Sequence, residues 1–159
     1  MTPTLQAELL QRKPFNSLEQ EATLNIARTE AALREPLEEL LKGAGVSLTQ
    51  YNVLRILRGS QPSALPSGEI ATRMISRDPD ITRLVDRLEK RGLVARVRGR
   101  KDRRVVEVEI TEKGLELLRS LDEHVDRFPR SVLGHLGPKK LEQLGVLIEQ
   151  TLTDLGTFP

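Results

Sequence analysis

A chain of 159 residues, 38% hydrophobic and 30% charged, suits one soluble domain, or one compact unit with an appended oligomerisation element. It has no cysteine, which excludes disulfides, thiolate metal sites and thiol redox sensing. No run approaches the roughly 18 apolar residues of a membrane span, and residues 1–13 lack the apolar core of a secretory signal, so a cytoplasmic location with no membrane contact is expected.

Residues 1–16 read as a loose arm, broken by Pro3 and Pro14. Ser17-Leu18-Glu19-Gln20 has capping-box spacing and opens a long helix with Leu24, Ala27, Ala31, Leu33, Leu37, Leu40 and Leu41 on its apolar side. Pro36 is expected to kink or divide that helix near Arg34, and Gly43 and Gly45 to end it. Ser47-Leu48-Thr49-Gln50 begins a second helix, filled by Tyr51, Val53, Leu54, Ile56 and Leu57. Residues 59–66 (GSQPSALP) read as a loop. A short helix over 67–74 follows, with Ile70, Ala71 and Met74 inward, and Ile75-Ser76-Arg77 turns into the next helix. Two helices joined by three or four residues form a helix-turn-helix.

The second helix of that pair is predicted to start with Asp78 as N-cap and Pro79 in the first helical position. Ile81, Leu84, Val85 and Leu88 make its apolar face; Pro79, Thr82, Arg83, Asp86, Arg87 and Lys90 lie opposite. Gly92 ends it after Lys90 and Arg91 have placed positive charge in the last turn. Strands are predicted over 93–98 and 105–111, the second with Val106, Val108 and Ile110 on one face, joined by the charged turn Gly99-Arg100-Lys101-Asp102-Arg103-Arg104. Residues 73–104 hold twelve Lys and Arg against five Asp and Glu, a net +7 in a chain that totals only +2. Such lopsided charge is expected of a surface that sits on a polyanion.

Thr111 caps a further helix with apolar Leu115, Leu118, Leu121, Val125 and Phe128, which Phe128-Pro129 should break or kink. Gly137-Pro138 begins the last helix, striped by Leu141, Leu144, Ile148, Leu152 and Leu155. Spacing alone is equally consistent with an intra-chain bundle and with an oligomer.

The stretch ITRLVDRLEKRGLVARVRGRKDRRVVEVEITEKG resembles the winged helix-turn-helix signature of the MarR (multiple antibiotic resistance regulator) family of bacterial transcription regulators. The carrying elements are LEKRGLV at the end of the recognition helix, the Asp-x-Arg element Asp102-Arg103-Arg104, and Thr-Glu-Lys-Gly opening the next helix. The resemblance implies a mainly α fold with a small β-wing (α+β). It divides the chain into an N-terminal arm and dimerisation helix (1–46), a winged DNA-binding domain (47–111) and C-terminal dimerisation helices (112–159). A homodimer through Leu24, Leu121, Val125, Leu141, Leu144, Ile148 and Leu152 follows, bound to double-stranded DNA at a pseudo-palindromic operator, with repression the expected sense. Members of the family often respond to small aromatic or phenolic anions held between the winged domain and the dimer helices, and Tyr51 falls near that region. Peroxide sensing through cysteine is closed to this chain.

Arg83 is the first candidate for a base contact, since arginine donates two hydrogen bonds to guanine O6 and N7; the alternative is a pair with Asp86 or Asp80 on its own helix. Thr82 suits a phosphate or a thymine methyl. Asp80 caps the helix, holds an arginine or accepts from cytosine N4. Arg104 matches the family's minor-groove arginine, with Asp102 fixing its direction, against the alternative of a structural ion pair. Arg73, Arg77, Arg87, Arg98, Arg100, Lys101 and Arg103 are assigned to the DNA surface, chiefly to phosphates, which set register without reading sequence. His124 and His135 lie eleven apart without carboxylates at ligand spacing, and no convergent acid and base is present, so neither metal, cofactor nor catalysis is expected. The competing reading is a winged module that coats DNA non-specifically or binds protein, without an operator.

Overall fold

A computed structural model describes residues 5–76, 80–99 and 104–156. Its elements in order are α1 (Leu5–Glu8), α2 (Leu18–Gly43), α3 (Leu48–Ser60), β1 (Leu65–Pro66), α4 (Ser67–Arg73), α5 (Ile81–Lys90), β2 (Val94–Arg98), β3 (Val106–Ile110), α6 (Glu112–Leu133) and α7 (Gly137–Leu155), with a 3-10 turn over Gly134–Leu136. The fold is mainly helical, with a small antiparallel sheet in the order β1-β3-β2.

Caps set most helix starts. Ser17 accepts from the Gln20 amide at 3.2 Å, but Gln20 Oε1 reaches back to the Asn16 amide at 2.8 Å, one residue before the cap. At Ser47 the reciprocal box closes fully, with Ser47 Oγ accepting from the Gln50 amide and Gln50 Oε1 from the Ser47 amide. Thr111 Oγ1 accepts from the Gly114 amide and donates to Gly92 O at 2.7 Å, so the start of α6 is tied to the end of α5. Gly114 itself lies against that junction: a Cβ there would sit 2.3 Å from Leu93 O.

Three expectations need correction, and the one at the prolines is narrowed. The arm is not wholly loose, because Leu5 is buried at the start of α1. Neither proline divides its helix: α2 runs through Pro36 and α6 through Pro129. Both prolines lie exposed, where water can donate to the carbonyl that each leaves unpaired. The 59–66 loop is shorter than its composition implies. Helix α3 reaches Ser60, and Leu65–Pro66 pairs with β3 as an edge strand, Leu65 opposite Val108 and Pro66 opposite Glu107; an edge is where a strand tolerates proline. The N-cap of α5 is Asp80, not Asp78. Its carboxylate takes both the Arg83 amide at 3.2 Å and the Arg83 Nε at 3.1 Å, so one side chain satisfies a helix end and a guanidinium. Asp78 and Pro79 lie outside the described residues.

The core gathers Leu54 and Leu57 of α3, Val85 and Leu88 of α5, Val108 of β3 and Leu118 of α6, with Leu41 and Val46 from the end of α2 and just beyond. All four apolar positions of α5 expected from periodicity meet this core, Ile81 from its edge. On β3 the inward face is Val108 and Ile110, while Val106 stands exposed. Arg58 of α3 and Asp122 of α6 close a two-pronged ion pair at 2.8 and 2.9 Å, which locks those helices side by side. Among the described residues helix α7 contributes none to this core, and it exposes Leu144, Val146, Leu147, Ile148, Leu152 and Leu155. Among the described residues no helix is long and apolar enough to cross a membrane.

Candidate nucleic-acid interface

Burial of Leu84, Val85 and Leu88 turns the opposite side of α5 outward. Thr82, Arg83, Arg87 and Lys90 are exposed on it, beside exposed Arg98 at the end of β2 and Arg104 just before β3. The Arg83 side chain is 78% exposed even while its Nε pairs with Asp80. Of the two sequence alternatives for Arg83, the structure shows the intrahelical pair, made with Asp80, and it leaves the side chain largely in solvent. Asp80 does two of its three candidate jobs, capping and holding an arginine. Arg73 is exposed and paired with Glu69 one turn back on α4. Arg77, Pro79, Arg100, Lys101, Asp102 and Arg103 lie outside the described residues.

Sequence reasoning missed Arg96. Its guanidinium meets Asp86 Oδ1 at 2.5 Å and the Glu89 carboxylate, and its backbone amide donates to Glu89 Oε1 at 3.2 Å. The two carboxylates hold its pKa above the ordinary arginine value, the hydrogen bond that Arg96 donates to Asp86 foremost. The available signal was Asp86 and Glu89 at i and i+3 on a helix that a tight turn at Gly92 folds back onto β2. At the other end of α5, Asn52 Oδ1 accepts from the Ile75 amide at 3.0 Å, pinning the helix-turn-helix turn to α3.

An outward polar helix followed by a two-stranded antiparallel ribbon is the geometry of a winged helix-turn-helix, and comparison with known proteins agrees. Residues 46–106 match the model of the MarR family. The HTH-type transcriptional regulator YkoM of Bacillus subtilis is 30% identical over 146 residues, covering 89% of this chain and 93% of that protein. The HTH-type transcriptional repressor IacR of Pseudomonas putida is 31% identical over 134 residues, covering 84% and 78%. The crystal structure of a MarR transcription factor from Planctomyces limnophilus superposes with a TM-score of 0.64 at 44% identity, over 86% of this chain and 99% of that one. The chain belongs to the MarR family. Like its MarR relatives it is a DNA-binding transcription regulator with a winged helix, and those relatives are named as regulators, not enzymes.

The residues expected at a MarR dimer interface divide into two groups. Leu121, at 4% exposed, packs within the chain's own core. Val125 is half-buried at the edge of the same core. Leu24 and Leu141 are half-buried, and Leu144, Ile148 and Leu152 stand open on α7. A cavity of about 610 Å³ lies between α2, α3, α6 and the turn before α5. Leu37, Tyr51, Ile75, Val125 and Phe128 give it apolar walls; Arg34, Asn52 and Arg55 add polar groups. Tyr51 is buried there, with the Arg55 guanidinium 6.0 Å from its ring centre. That burial pushes the phenol pKa up.

Proposed function

We propose that this regulator binds a pseudo-palindromic operator as a homodimer, most simply as a cytoplasmic repressor, and is released by a small aromatic or phenolic anion. The observation that carries the reading is the outward face of α5, where Thr82, Arg83 and Arg87 stand exposed between the capped start of the helix and the wing. Arg83 reads a base edge in the major groove and Arg104 enters the minor groove. Arg73, Arg87 and Arg98, with Arg77, Arg100, Lys101 and Arg103, meet phosphates. The division of labour assigns DNA contact to 47–111 and self-association to 1–46 and 112–159, supported by the apolar stripe that α7 leaves uncovered. The cavity supports the effector reading: its volume lies within the usual ligand range of about 300–1,000 Å³, and its walls are largely apolar with Arg55 at hand, while Arg34 pairs with Glu30 and Glu38 lines the rim.

Selection of duplexes from a randomised pool tests the reading. The wild type should enrich a two-fold symmetric motif whose half-sites lie about one helical turn apart. Arg83→Ala should relax one symmetric position, at about 1–3 kcal/mol per half-site. Arg104→Ala should weaken A·T-flanked sites more than G·C-flanked ones. A pool with no enriched motif would leave non-specific coating as the function, and an Arg83→Ala motif as sharp as the wild type would remove the base contact. Salicylate, used as the probe anion, should release the selected duplex from the wild type and do so less well from Arg55→Ala.

A further inference from the structure

We infer that Arg96 is a positioning residue for DNA reading, fixing the recognition helix α5 against the wing strand β2. The inference rests on the reading of α5 as the DNA-contacting helix. Asp86 lies on α5 within one turn of both Arg83 and Arg87, and Glu89 within one turn of Arg87, and both acids would repel phosphates if left uncompensated. Arg96 takes both carboxylates through its side chain and Glu89 again through its backbone amide. Its side chain is 29% exposed against 78% for Arg83, and its guanidinium is engaged by two carboxylates of the helix.

The anchor sits at the middle of β2, opposite Val108, in a ladder that runs from Val94–Ile110 to Arg98–Val106. Fixing Arg96 therefore fixes both wing strands relative to α5, and with them the separation of the major-groove and minor-groove contacts. Two carboxylates approaching one cation from different positions suit a planar guanidinium; a lysine ammonium has no such fork.

The decisive variants are Arg96→Met and the nearly isosteric pair Asp86→Asn with Glu89→Gln. Each is measured at one salt concentration against the duplex that the wild type selects and against a random duplex, with circular dichroism confirming the fold. Arg96→Met should lower the ratio of selected to random affinity on the order of tenfold, about the effect of one mismatched base pair, and Arg96→Lys should restore only part of it. The carboxylate pair removes two negative charges, so affinity for random duplex should rise while the ratio still falls. A purely electrostatic or phosphate-contact role would raise both affinities together and hold the ratio. If Arg96→Met does not fold, the carboxylate pair decides the matter by itself.

A ratio within about twofold of the wild type in the carboxylate pair overturns the inference. So does a ratio lost in that pair but kept in Arg96→Met, which would make Asp86 or Glu89 the DNA contact. Failure of the wild type to enrich any motif overturns the operator reading, and this inference with it. An enriched motif with unaffected variants overturns this inference alone.

Discussion

Replacing Gly114 by alanine tests how closely α6 is seated on the winged domain. The added Cβ would stand 2.3 Å from Leu93 O and 2.7 Å from Ile110 Cγ1. Ordinary contact begins at 3.4 Å, so the backbone oxygen must yield by more than an ångström or the helix must lift. Overpacking costs about 1–3 kcal/mol, and a backbone obstacle places this case at the upper end. Helix propensity returns at most about 1 kcal/mol. The net loss is about 2 kcal/mol, or about 4–8 °C in Tm for a chain of this size. Thermal unfolding followed by circular dichroism, at two protein concentrations to separate any contribution from self-association, measures it. Gly59→Ala is the matched control, since nothing lies within 4 Å of a Cβ there; it should be neutral or slightly stabilising. A Gly114→Ala midpoint equal to or above the wild type would refute the reasoning.

Light scattering at micromolar concentration should give about twice the 17.9 kDa chain mass, and Leu144→Asp or Ile148→Asp should lower it and weaken DNA binding together. For about 6–10 neutralised phosphates per dimer, affinity should fall by about 10³–10⁵ between 50 and 200 mM salt, and a flat response would remove the phosphate assignments. Tyr51 is the sole tyrosine and the chain has no tryptophan, so phenolate absorbance follows it directly. Burial raises its folded pKa above the ordinary tyrosine value of about 10, which keeps the associated stability intact below that pH and loses it as pH rises through the folded value. Native protein should ionise at higher pH than urea-unfolded protein; coincident titrations would contradict the buried phenol.

Local rules carried the helices and the strands of the wing. The Ser47 box closes as its spacing implies, and Leu84, Val85 and Leu88 are buried as periodicity requires. What escaped the sequence was decided by tertiary contact. Two residues, Leu65 and Pro66, are too short a strand to show a period, and they become one only because β3 offers an edge. Asp80 displaced Asp78 as cap because Arg83 rewards it twice, through its amide and its side chain. Arg96 looked like one more cation in a basic run, until the fold brought it against two acids from the preceding helix. The leucine stripe of α6 could not announce that Leu118 and Leu121 face α3, since an intra-chain seam and an inter-chain seam share the same spacing.

That last feature bears on how the protein can be cut and joined. Leu118 and Leu121 plug the winged core from beyond residue 111, and the Arg58–Asp122 pair fastens the plug in place. A DNA-binding fragment ending at 111 would expose the underside of α3 as a greasy trough, so a usable fusion partner or minimal reader has to carry α6 at least through Asp122. The same overlap makes the segment proposed for self-association continuous with the winged core: α6 runs from Glu112 to Leu133, and its first half is already part of that core.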